Sequence, residues 1–214
     1  MKRFISVMFF VMVLMLMTGV SQAAPIYGYL WEPSDYAKNP GLNVSPDYDH
    51  ANATFTVNSL DFDSGRGTTT YDTWLKGATS GNPNGLVWDT WDTVPTDVRD
   101  IFYTAGPNYE GTYFEFSGTA FFPANLVITH DDGFWLDLMG YKAYNYSTPV
   151  SPTVTTLDNP AGTYDFILAY GACNGFPEVL IASGVTTSVP EPTSLLLLGF
   201  GLVGLAGLSR KLRK

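Results

Sequence analysis

Two adjacent carboxylates, Asp131 and Asp132, stand at the centre of the chemically richest segment of the chain, Ile128 to Gly140. A strand-like run, Asn125–Thr129, leads to them, Gly133 follows, and Phe134–Met139 alternates like a returning strand. Paired carboxylates are hard oxygen donors of the kind calcium collects, about six to eight at a time. Consecutive side chains on a strand point to opposite faces, so both can reach one ion only where the backbone leaves the strand. The same triplet is also good turn chemistry, since Asp accepts local backbone hydrogen bonds and Gly supplies positive φ. Acid–base hydrolysis of glycosides needs carboxyls about 5–9.5 Å apart, which suits residues on different strands better, so the reading is non-enzymatic. His130 reads as a surface or core imidazole. Cys173 is the only cysteine, which excludes an internal disulfide and suits a small buried hydrophobe.

Tryptophans are the other candidates. Trp88 and Trp91 fall in an irregular segment, Asp72 to Arg99, and are the positions expected to stack on a ligand such as a sugar. That segment reads as a long excursion with one short helix near residues 95–102. Trp135, in an alternating strand, is expected to be buried.

The elements that must position these residues read as β-structure. No stretch of the body has helical apolar spacing. Short aromatic and β-branched runs recur between Gly, Pro, Asn and Asp: Ala53–Val57, Thr112–Ser117, Gly118–Phe122, Asn125–Thr129, Phe134–Met139, Tyr164–Tyr170 and Glu178–Ala182. Many short strands with frequent turns predict an all-β, antiparallel sandwich over residues 24–183, followed by a linker at 184–188.

The chain has 20 acids and 11 Lys plus Arg. Six of those bases and one acid lie in the two ends, leaving the body 19 acids, 5 bases and a formal charge of −14. Such a surface repels nucleic acid and favours cations.

The ends are trafficking segments. Met1-Lys2-Arg3, an apolar run from Phe4 to Met17, and small residues at Ser21 and Ala23 predict a signal peptide helix over residues 1–23, cut by signal peptidase after Ala23. At the other end, Pro190-Glu191-Pro192 precedes an apolar run, and Arg210, Lys211, Arg213 and Lys214 close the chain. Residues 193–209 are slightly short of the roughly 20 needed to span a bilayer, and the terminal bases can snorkel to make up the difference. Those bases belong on the cytoplasmic side, which leaves the body outside. Gly199-Phe200-Gly201-Leu202-Val203-Gly204 mimics a dinucleotide loop, but no strand precedes it.

The order of kinked motif, apolar helix and basic tail over residues 189–214 resembles the PEP-CTERM sorting signal of Gram-negative bacteria. The resemblance implies a membrane-anchored precursor handed to an exosortase-type enzyme and delivered to the cell surface or extracellular matrix. A second resemblance covers about residues 111–183. Asp131-Asp132-Gly133 after a strand, then Ala161-Gly162-Thr163-Tyr164 opening another, is similar to the PA14 family of β-sandwich domains. Met139-Gly140 stands where that pattern has Asp-Gly. The resemblance implies calcium held by Asp131, Asp132 and Asn174, with extracellular polysaccharide bound through the ion. The alternatives are a purely structural envelope or biofilm protein with no defined ligand, and a secreted hydrolase using Asp131 or Asp132.

Overall fold

The computed structural model describes residues 24–34, 46–63, 70–77, 81–91, 111–148, 151–172 and 178–187. In chain order the strands are β1 (Ile26–Ser34), β2 (Ala53–Val57), β3 (Asp61–Asp63), β4 (Val87–Trp91), β5 (Gly111–Phe122) and β6 (Val127–His130). They continue with β7 (Gly133–Leu138), β8 (Lys142–Tyr146), β9 (Thr153–Thr156), β10 (Gly162–Ala172), β11 (Val179–Ala182) and β12 (Thr186–Thr187). One sheet runs β4-β2-β1-β5-β10-β7-β8 with β12 beside β5, and a smaller one runs β3-β11-β6-β9. Every pairing is antiparallel. The expected all-β antiparallel sandwich is what the body, Ala24–Ser188, forms.

Two-residue alternation builds the layers. On β5, Phe114, Phe116, Ala120 and Phe122 are buried against the small sheet, and on β10 Phe166, Leu168 and Tyr170 join them. Phe62, Ile128 and Leu180 answer from the small sheet. The Phe62 ring stacks on Phe116 with centroids 5.0 Å apart, a direct contact between layers. Each such ring contributes about 1.5–3 kcal/mol by leaving water.

The same alternation sends other aromatics outward. Trp31 and Tyr113 form a separate cluster with Ala169, against which Tyr29 and Trp135 pack. Trp135 is therefore half-buried on the outer face of the large sheet, not buried as expected. Phe134, Leu136 and Leu138 take the inward positions of β7, and the period of two leaves Trp135 facing out.

The excursion is more regular than its composition suggests. A helix, α1 (Tyr71–Lys76), starts where the Thr70 hydroxyl accepts from the Thr73 amide at 2.9 Å, and ends at Gly77 in the left-handed conformation, φ 75°. The Asp72–Lys76 pair braces its outer face. The helix expected near 95–102 lies outside the described residues. Thr186 and Thr187, in the segment read as linker, pair with Phe121 and Ala120 of β5. Among the described residues no helix is long and apolar enough to cross a membrane. The expected signal peptide and its cleavage site at Ala23, the 193–209 helix, the motif Pro190-Glu191-Pro192 and the basic tail all lie outside them.

Candidate functional site

The Asp131-Asp132 pair occupies the short bend between β6 and β7. Leaving the strand there frees both side chains from the opposite-face rule. Gly133 is required for a reason other than the expected positive φ. A Cβ at that position would meet the Ser147 carbonyl oxygen at 2.5 Å and its carbon at 2.6 Å, so only glycine permits this close backbone approach. His130 fixes the bend from behind. Its Nδ1–H donates to the Asp132 carbonyl at 2.8 Å, which leaves Nε2 to accept from the Thr155 hydroxyl at 2.9 Å. With both nitrogens used and burial holding its pKa below the ordinary value, His130 is a neutral core imidazole.

Asp131 extends the β6–β11 ladder by one step. Its amide donates to the Val179 carbonyl at 3.3 Å, and its Oδ1 accepts from the Val179 amide at 3.0 Å. The bond places Glu178, the residue before β11, against the pair. One carboxylate oxygen each from Asp131, Asp132 and Glu178 lie within 4.8 Å of one another, and the three residues are 1%, 0% and 0% exposed. Tyr170, on the inward face of β10, puts its hydroxyl 2.6 Å from Asp131 Oδ1 and 3.0 Å from Glu178 Oε2. Trp74 of α1 completes the enclosure. Its Nε1 donates to the Glu178 carbonyl at 3.0 Å and its ring stacks on Tyr170 at 5.7 Å.

The electrostatics follow from this crowding. Burial pushes Asp131 up to about 6, against the downward pull of the bonds from Tyr170 and the Val179 amide. Glu178 is held well above the usual carboxylate range, first by burial and then by the charges of Asp131 and Asp132. Tyr170 is raised by burial and then by the acids beside it. One hydroxyl carries one proton, so it can donate to only one of its two carboxylate neighbours at a time. The cluster calls for additional positive charge, as protons or as a cation.

The donor set suits a hard cation. Oxygens each about 2.4 Å from a calcium ion can be at most about 4.8 Å apart, and all-oxygen ligation selects calcium, magnesium or manganese over zinc or copper. Of the three positions named from the sequence, Asp131 and Asp132 lie in this cluster, whereas Asn174 lies outside the described residues. Glu178 was not anticipated. Its signal was an acid directly before a wholly apolar strand, Val179–Ala182, a place where a charged side chain needs a partner.

The tryptophan candidates are elsewhere. Trp88 is half-buried, packs edge-on against Phe55 at 5.2 Å, and donates through Nε1 to Asp72 Oδ1 at 3.1 Å. Trp91 ends β4, with its side chain outside the described residues.

A family model for the PEP-CTERM protein-sorting motif matches residues 188–211. The chain therefore carries the signal of an exported, membrane-associated precursor processed by an exosortase-type enzyme. No curated protein matches the chain. Among solved structures it is similar to the PA14 domain of the antifreeze protein MpAFP, with 16% identity and a TM-score of 0.39, covering 78% of this chain and 93% of that one.

Proposed function

We propose that the body is a non-enzymatic, calcium-dependent carbohydrate-binding module, displayed at the surface or in the matrix of a Gram-negative bacterium. Asp131, Asp132 and Glu178 would hold the ion, with Asn174 as the further ligand the sequence suggests. The observation that carries this reading is the convergence of three buried carboxylates within 4.8 Å. Calcium, when bound, supplies the positive charge this cluster calls for, and it offers open coordination positions to sugar hydroxyls.

The test is thermal unfolding of the full-length chain in detergent, first in EDTA and then in 1 mM calcium or magnesium. With a dissociation constant on the order of 10 μM, 1 mM calcium stabilises by about 2.7 kcal/mol. The expected rise in Tm is larger for calcium than for magnesium and is lost in Glu178→Gln. A glycan array probed with and without calcium then reads the sugar. A Tm indifferent to calcium would overturn the reading. A purely structural role has its own support, the near-complete burial of all three carboxylates. It predicts full stability in EDTA and no bound glycan.

A further inference from the structure

On the opposite face of the large sheet from Tyr170 lies an open groove, about 510 Å³ in volume. Tyr29, Tyr48, Glu115, Ser117, Thr119 and Asp165 line it. Strand alternation puts them there: Tyr29 pairs with Glu115 across β1 and β5, and Thr119 pairs with Asp165 across β5 and β10. Tyr48 stands over one end on a one-turn 3-10 helix, Tyr48–His50. Although 47% exposed, it is fixed. Its hydroxyl donates to Glu115 Oε1 at 2.8 Å, and its ring meets Tyr29 edge-on at 5.1 Å and Trp31 at 5.8 Å. Trp31 in turn donates through Nε1 to the Asp47 carbonyl at 3.1 Å, at the cap of that same turn. An exposed aromatic held in place by a buried Trp31 and a half-buried Tyr29 loses little freedom when a ligand arrives.

The lining combines aromatic rings, which pack on the C–H faces of pyranoses, with carboxylates and hydroxyls that bond to sugar hydroxyls. Among the described residues, two acids and no Lys or Arg line the groove, which disfavours a polymer of uronic acids or phosphates. Glu115 and Asp165 sit four strand positions apart in register, about 13 Å, which is too far for paired glycoside hydrolysis.

We propose that this outer groove is a calcium-independent binding site for a strand of neutral hexose polymer. It shares no residue with the carboxylate cluster, so either site can fail without the other.

The experiment uses the full-length chain in a detergent without a sugar headgroup, in EDTA. Cellohexaose, mannohexaose and chitohexaose are titrated by calorimetry and tryptophan fluorescence, with hexagalacturonate as the acidic control. At least one neutral hexasaccharide binds, and Tyr29→Ala or Tyr48→Ala, assayed well below each variant's own lowered Tm, weakens it about tenfold or more. Tyr48→Phe, which keeps the ring but loses the bond to Glu115, weakens binding less than Tyr48→Ala does. Three outcomes would overturn the proposal: no neutral hexasaccharide bound in EDTA, wild-type affinity in both alanine variants, or equal affinity for hexagalacturonate. Binding that appears only on adding calcium would assign the sugar to the Asp131 cluster instead.

Discussion

Tyr170 and Tyr48 each present one hydroxyl to buried acid, and the consequences differ. Tyr170 stands between two carboxylates with a third alongside, so its single proton leaves charge to be neutralised. Among the described residues Tyr48 bonds to one acid, Glu115, with Tyr29 beside it and Asp165 further along the groove, and its own pKa is pushed up to about 12, first by burial and then by the bond to Glu115. Burial raises the Glu115 pKa, and the bond from Tyr48 offsets only part of that rise. The folded carboxyl therefore binds its proton more tightly than the unfolded one. Its stabilising contribution is full below the ordinary glutamate range and is lost as pH rises through the folded value. Glu115→Gln cannot ionise, so its Tm relative to wild type should climb between pH 4 and pH 7. Parallel melting profiles across that range would show that Glu115 ionises as freely folded as unfolded.

At the scale of elements, the cluster is made by a chain of placements in which no single strand suffices. The β6–β7 bend supplies two carboxylates, β11 brings the third, β10 supplies the hydroxyl, and α1 holds the Glu178 carbonyl through Trp74. Gly133 is the narrowest point, because its missing side chain lets the Ser147 backbone lie against the bend. Gly133→Ala should cost about 1–3 kcal/mol of stability, as overpacking does, and should abolish any calcium-dependent rise in Tm by displacing Asp132. Denaturant unfolding with and without calcium measures both, and a full calcium response in this variant would mean the bend tolerates movement. The runs Thr112–Ser117, Gly118–Phe122 and Tyr164–Tyr170 were legible as strands because aromatic and β-branched residues cluster there between turn-forming residues. The Asp131-Asp132 pair was legible because it is adjacent in sequence. Glu178 was not, since nothing local ties it to residues far up the chain. Neither was α1, whose six residues are too few to display a helical period. Trp135 was misplaced because a strand with large apolar residues on both faces does not declare which one is inner.

For the whole molecule, the two candidate sites make sense only in the compartment the sorting motif dictates. A body with a formal charge of −14 attracts cations, and the proposed calcium and polysaccharide ligands would both be met outside the cytoplasm. Delivery depends on residues 188–211, where the sorting motif is matched. Within that match, Pro190 and Pro192 flank Glu191 directly before the apolar run. Replacing Pro190, Glu191 and Pro192 together by alanine removes the motif while leaving the apolar run and basic tail intact. In a host with an exosortase-type enzyme, the wild-type chain should be recovered without Arg210 to Lys214, and the triple variant should stay membrane-bound with that tail. Mass spectrometry of the surface and membrane fractions reads the difference directly. An intact tail on the surface form of the wild-type protein would mean that this segment anchors the chain permanently.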